Sequence, residues 1–126
     1  MRLHGLFNIE VEDNLIVSHF YGAWNSEQTR HYAEQVKTLS SSLHNEPWAR
    51  VINLSDWEGG GEEILAPLRE LHTWSLENKC RFVVFVRPSM LPKFMLEKYG
   101  SGYGSYQIFE SLQEAKNWAK QELAHL

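Results

Sequence analysis

The 126 residues carry a net charge of −4 with no block of Lys or Arg, which argues against nucleic-acid binding, where many cations must meet phosphates. Hydrophobic residues at 43% and charged residues at 22% exclude disorder, and the length suffices for a core without staples, so residues 1–126 are expected to form one domain. The lone Cys80 has no disulfide partner, Met1 to Gly5 lack the apolar region of a signal peptide, and the run Phe82 to Val86 is too short to cross a bilayer; a cytoplasmic location is expected.

In chain order, Phe7, Ile9 and Val11 alternate with Asn8 and Glu10, the period-2 pattern of a half-buried strand. Glu12-Asp13-Asn14 reads as a turn into a second strand, Leu15 to Tyr21, making a hairpin that Gly22 ends. Asn25 with Gln28 three residues later is a capping box opening a helix whose Tyr32, Val36, Leu39 and Leu43 form one apolar stripe. Pro47-Trp48 breaks the chain before a short third strand, Val51 to Leu54, and Ser55 to Gly61 reads as a loop. A second helix follows, with Ile64, Leu68 and Leu71 on one face and Pro67 tolerated in the first turn.

Phe82 to Val86 is a continuous β-branched and aromatic run, the pattern of a central parallel strand buried on both faces. Ser89 is placed to cap a third helix over 90–99, with Pro92 in its first turn and Gly100 as its stop. After a Gly/Ser connector, Tyr106 to Phe109 forms the last strand, and Ser111 with Glu114 caps a final helix carrying Ala115, Trp118, Ala119 and Leu123. The fold class expected is therefore α/β, β-β-α-β-α-β-α-β-α: one mostly parallel five-stranded sheet with an N-terminal antiparallel hairpin, each crossover right-handed.

This order resembles the SpoIIAA-like superfamily, which includes STAS anti-sigma-factor antagonists and lipid-carrier-like relatives. Phe109-Glu110-Ser111-Leu112-Gln113-Glu114-Ala115 followed by Trp118 is similar to that family's closing strand–cap–helix phrase. Phe7 to Gly22 followed by Trp24-Asn25-Ser26-Glu27 is similar to its opening hairpin and helix entry. The resemblance implies a non-catalytic binding or regulatory module. Antagonists of that family carry Asp-Leu-Ser on the third strand and a hydroxyl phosphoacceptor at the second helix. Asn53-Leu54-Ser55 resembles the first phrase, whereas the second falls on Gly59-Gly60-Gly61-Glu62-Glu63, without a hydroxyl. That departure argues against a kinase switch there; Glu62 would hold a fixed charge instead, or simply complement the helix dipole.

In an open α/β sheet, ligands bind beyond the carboxyl ends of the strands. Three segments are expected to meet on that rim as loops: Gly22 to Asn25, Ser55 to Trp57 and Arg87 to Ser89. Trp24, Asn25, Ser55, Asp56, Trp57, Arg87 and Ser89 would then offer two indoles, two charges and helix N-termini to a protein partner or a small apolar or anionic ligand. The competing reading pairs Arg87 with Asp56 and uses the indoles to cover helix ends. The helix over 90–99 carries Met90, Leu91, Phe94, Met95 and Leu96 on more than one face, which the sheet alone does not cover. Phe94 and Met95 are therefore read as a partner interface, a homodimer seam or the lid of a pocket, against a helix that is simply well buried.

Other chemistries find less support. No two of the six His sit at i, i+4 on one helix, so neither a metal site nor any other cofactor is expected. Gly100 to Gly104 precedes a strand, the wrong context for a phosphate loop, and Gly59-Gly60-Gly61 lacks the Lys-Ser/Thr pair. Cys80 reads as a packed small hydrophobe. The alternative to a binding module is a small hydrolase or isomerase using Ser55, Asp56 and Arg87, but no His is placed beside Ser55 and no Gly-x-Ser-x-Gly elbow exists.

Overall fold

A computed structural model describes residues 6–43, 45–88 and 106–126. Its order is β1 (Leu6–Glu12), β2 (Leu15–Trp24), α1 (Ser26–Ser40), β3 (Trp48–Gly60), α2 (Leu65–Glu77), β4 (Cys80–Val86), β5 (Gln107–Phe109) and α3 (Leu112–Ala124). The expected helix over 90–99, with Ser89, Phe94 and Met95, lies outside the described residues.

The five strands stand in sequence order in one sheet. β1 is antiparallel to β2, whereas β2, β3, β4 and β5 are mutually parallel. The mostly parallel sheet with its N-terminal hairpin is thus as the sequence predicts. β4 lies between two parallel strands, and Val83, Val84, Phe85 and Val86 are all buried, as an unbroken apolar run requires. Two helix starts are explained by local caps. Asn25 caps α1 by accepting the Gln28 N–H at 3.0 Å, and Ser111 caps α3 by accepting the Glu114 N–H at 3.3 Å.

The sheet has a core on each face. Alternation along β2 sends Ile16, Phe20 and Trp24 to one side, where Tyr32 and Val36 of α1 and Leu71 of α2 pack. Leu15 and Val17 go to the other, with Ala49, Val51, Val84 and Val86, under Ala115 and Ala119 of α3. Small residues on α3 let it lie close, and Trp118 closes its flank against Phe82 at 5.3 Å. The middle of α3 is tied to the end of β1: Glu12 accepts from Lys116 at 2.9 Å and from Lys120 at 2.7 Å.

Two expected boundaries need correction. β2 runs on through Gly22 to Trp24, because Gly22 takes φ 67 and lets the strand continue rather than end. β3 spans Trp48–Gly60, so Trp48, placed at the expected break, and Ser55 to Gly60 of the expected loop are strand, and Gly61 alone of that loop lies outside it. The ladder absorbs two extra β3 residues as irregularities, between the His19↔Asn53 and Tyr21↔Asp56 pairs and between Gly22↔Trp57 and Ala23↔Gly59. At the first, the Asn53 side chain accepts the Ser55 N–H at 3.1 Å, holding the local bend. Near the second, Gly59 takes φ 82.

Candidate functional site

The ladder between β3 and β4 ends at Asn53↔Val86, while β3 continues beside β2 to Gly60. The carboxyl rim is therefore a β2–β3 ribbon projecting past β4, and its two faces differ in kind.

One face is closed by aromatics. Trp24 is 3% exposed and Trp57 5%, and their rings stand 5.7 Å apart around Phe20. Phe20 lies 4.2 Å from Trp24 and 5.3 Å from Trp57, and Tyr32 meets it edge-on at 4.7 Å. Such pairs add about 0.5–1.5 kcal/mol each beyond area burial. Trp24 and Trp57, expected on rim loops, are thus strand residues whose rings face the core. Asn25 is committed to capping α1. Gly60 lies against Trp24: a Cβ there would sit 2.5 Å from the Trp24 carbonyl oxygen and 3.0 Å from Ile64. This close approach accounts for Gly60, and the left-handed backbone at φ 82 accounts for Gly59.

The opposite face carries the chemistry. Alternation from Leu15 and Val17 brings His19 and Tyr21 to this side, opposite Asn53 and Asp56 in register. Asn53 Nδ2 lies 3.2 Å from His19 Nδ1. Because Asn53 Oδ1 is taken by the Ser55 N–H, its amide nitrogen faces the ring and donates to Nδ1, which places a neutral His19 proton on Nε2. Tyr21 is 39% exposed, and Ser55 and Asp56 are exposed beside it. Arg87 follows Val86 at the same level. It adopts φ 47, unusual for a residue with a Cβ, and its N–H donates to the Phe109 carbonyl at 2.9 Å.

The structure therefore gathers Ser55, Asp56 and Arg87 of the predicted set on one rim. Among the described residues Asp56 and Arg87 form no ion pair, and Ser55 has no base in hydrogen-bond reach; His19 engages Asn53 instead. His19, Tyr21 and Asn53 are absent from the site expected from the sequence, although a Ser-His pair inside the apolar run Leu15 to Phe20 is a visible anomaly.

A second missed feature is buried. Arg50, 2% exposed, donates to the Tyr32 hydroxyl at 3.0 Å, and Ser18 Oγ lies 2.7 Å from that hydroxyl. Nearby Cys80 is 1% exposed, and burial pushes its thiol up to about 11 against a smaller opposing pull from Arg50. A thiol so placed is a poor nucleophile. Among the described residues no cluster of His, Cys, Asp and Glu could hold a metal ion, and no helix is long and apolar enough to cross a membrane.

No protein-family model matches the sequence, and no curated protein matches it significantly. Solved structures do. The chain is similar to an anti-sigma factor antagonist from Mycobacterium paratuberculosis, with 17% identity, a TM-score of 0.63 and coverage of 92% of this chain and 94% of that one. It is similar to a protein with a SpoIIAA-like fold from Shewanella loihica PV-4, at 13% identity and a TM-score of 0.69, covering 94% and 97%. The anti-sigma factor antagonist SpoIIAA in its unphosphorylated form matches at 15% identity and a TM-score of 0.66, covering 92% and 97%. At such identities the likeness is one of fold: this chain has the SpoIIAA-like, STAS-like architecture.

Proposed function

We propose that this chain is a non-catalytic regulatory module that docks a protein partner on the carboxyl rim of its sheet, through Tyr21, Ser55, Asp56 and Arg87. The observation that carries the reading is the division of labour between the ribbon faces. The indoles that would line a small-molecule pocket are turned into the core, and the polar groups stand exposed on adjacent strands. An exposed strand face with a few charges suits a protein surface better than a small ligand, which needs enclosure. The solved structures of like fold include two named as anti-sigma factor antagonists, which agrees with a regulatory role.

The segment leading into α2 is Gly61-Glu62-Glu63, without a hydroxyl, so docking is not gated by phosphorylation there. Phosphopeptide mapping of the chain from its native host is expected to find no modification of Ser55. Stoichiometric phosphate on Ser55 would contradict this. The docking claim is tested by cross-linking the tagged chain in that host and mapping the linked peptides. Links concentrated at 53–58 and 87, and lost in Asp56→Lys, are expected. Links spread evenly, or unchanged in that variant, would overturn it.

A further inference from the structure

We propose that the outer edge of β1 is a homodimer seam, pairing antiparallel with β1 of a second copy about a twofold axis through Ile9. The turn between β1 and β2 is two residues, Asp13 and Asn14, so the flanking pair Glu12↔Leu15 is hydrogen-bonded and the pattern alternates from it. Leu6, Asn8, Glu10 and Glu12 thus direct their backbone groups to β2. Phe7, Ile9 and Val11 direct theirs outward, and among the described residues no strand meets them. Natural edges are blunted by Pro, by charged side chains and above all Lys, by bulges or by brevity. β1 has seven residues with neither Pro nor Lys, its charges are Glu10 and Glu12, and its register with β2 is unbroken.

The self-complementarity of β1 points to a second copy as the occupant, and charge sets the register. With Ile9 facing the partner's Ile9, Phe7 meets the partner's Val11, Asn8 meets the partner's Glu10, and Leu6 meets the partner's Glu12. Every acidic residue then faces a neutral one, and the charge of Glu12 is already engaged by Lys116 and Lys120. A shift of two residues one way sets Glu10 against the partner's Glu10; the opposite shift leaves only Leu6 to Glu10 of the described β1 residues facing one another. The favoured register forms about six backbone hydrogen bonds. It also covers Val11, 45% exposed, with the partner's Phe7, and Leu6, 46% exposed, with the stem of the partner's Glu12. The two Glu10 side chains remain diagonal neighbours roughly 7–8 Å apart. Their mutual repulsion is screened by salt, so the dimer tightens as ionic strength rises.

Sedimentation of the full chain tests this. A monomer–dimer equilibrium that shifts toward dimer with salt is expected. Val11→Pro removes an outward N–H that bonds nothing within the subunit, so it should abolish the dimer while leaving the far-ultraviolet spectrum unchanged. Val11→Lys, which keeps every backbone bond, should weaken the dimer as well, so a folding defect in the proline variant does not decide the matter. Amide exchange at Phe7, Ile9 and Val11, but not at the β2-bonded residues, should slow with protein concentration. A chain monomeric up to roughly 1 mM, or a dimer indifferent to both Val11 variants, would overturn the proposal.

Discussion

Arg50 stands in β3 between Ala49 and Val51, buried with Tyr32 and Ser18 beneath α1. The Tyr32 hydroxyl serves both polar neighbours, so Tyr32→Phe leaves each with one partner fewer in a place water does not reach. That variant should fold identically and lose about 1–3 kcal/mol, read from urea unfolding. An unchanged midpoint would mean that the network contributes nothing. Cys80 gives a second test at this scale. With its thiol pushed up to about 11 and its surface covered, it should resist an aromatic disulfide reagent at pH 8 and react fully once the chain is unfolded. Neither polar burial was legible in the sequence. A strand taken to begin at Val51 leaves Arg50 outside it, and pattern reading assigns an arginine to solvent by default. Cys80 was legible, because a lone cysteine at the start of an apolar run behaves as a small hydrophobe.

The helix starts were legible because a cap is a local device: Asn25 and Ser111 need only the N–H three residues on. β3 was not, because its second half is a strand by pairing and not by composition. Asp56, Gly59 and Gly60 are residues that strands avoid, and two irregularities shift the alternation that would have betrayed it. Gly60→Ala tests that pairing. A Cβ 2.5 Å from the Trp24 carbonyl cannot be relieved by a side-chain rotation, so the β2–β3 ribbon must part, at a cost of about 1–3 kcal/mol in unfolding experiments. The tether of α3 has a pH signature. Hydrogen bonds from Lys120 first and Lys116 second hold the Glu12 carboxyl below its ordinary 4.5, outweighing its slight desolvation. A depressed folded value means that the contribution is complete above 4.5 and disappears as pH falls through the folded value. Glu12→Gln should therefore melt lower than the parent at pH 7, with the two curves merging in acid. The gap should be small, since Glu12 and Lys120 are each more than a third exposed and water screens the pair.

For the whole molecule, topology was the most legible level: an apolar run such as Val83 to Val86 has few places to go except the middle of a two-sided sheet. Its amides should be among the slowest to exchange, Val84 to Val86 above all, because β5 meets β4 only there. Rapid exchange would show the strand to be an open edge. The rim was half legible. The switch of environment beyond the strands announced Ser55, Asp56 and Arg87, but the inward turn of Trp24 and Trp57 follows from a ribbon that the sequence concealed. That inward turn is why the rim is read as a docking surface for a protein. Native mass spectrometry of the tagged chain, purified gently from its own host, addresses the claim most directly. A polypeptide bound to the chain, lost in Asp56→Lys, is expected, with no adduct of small-molecule mass. A small organic molecule retained by the parent and by Asp56→Lys alike, with no bound polypeptide, would contradict it.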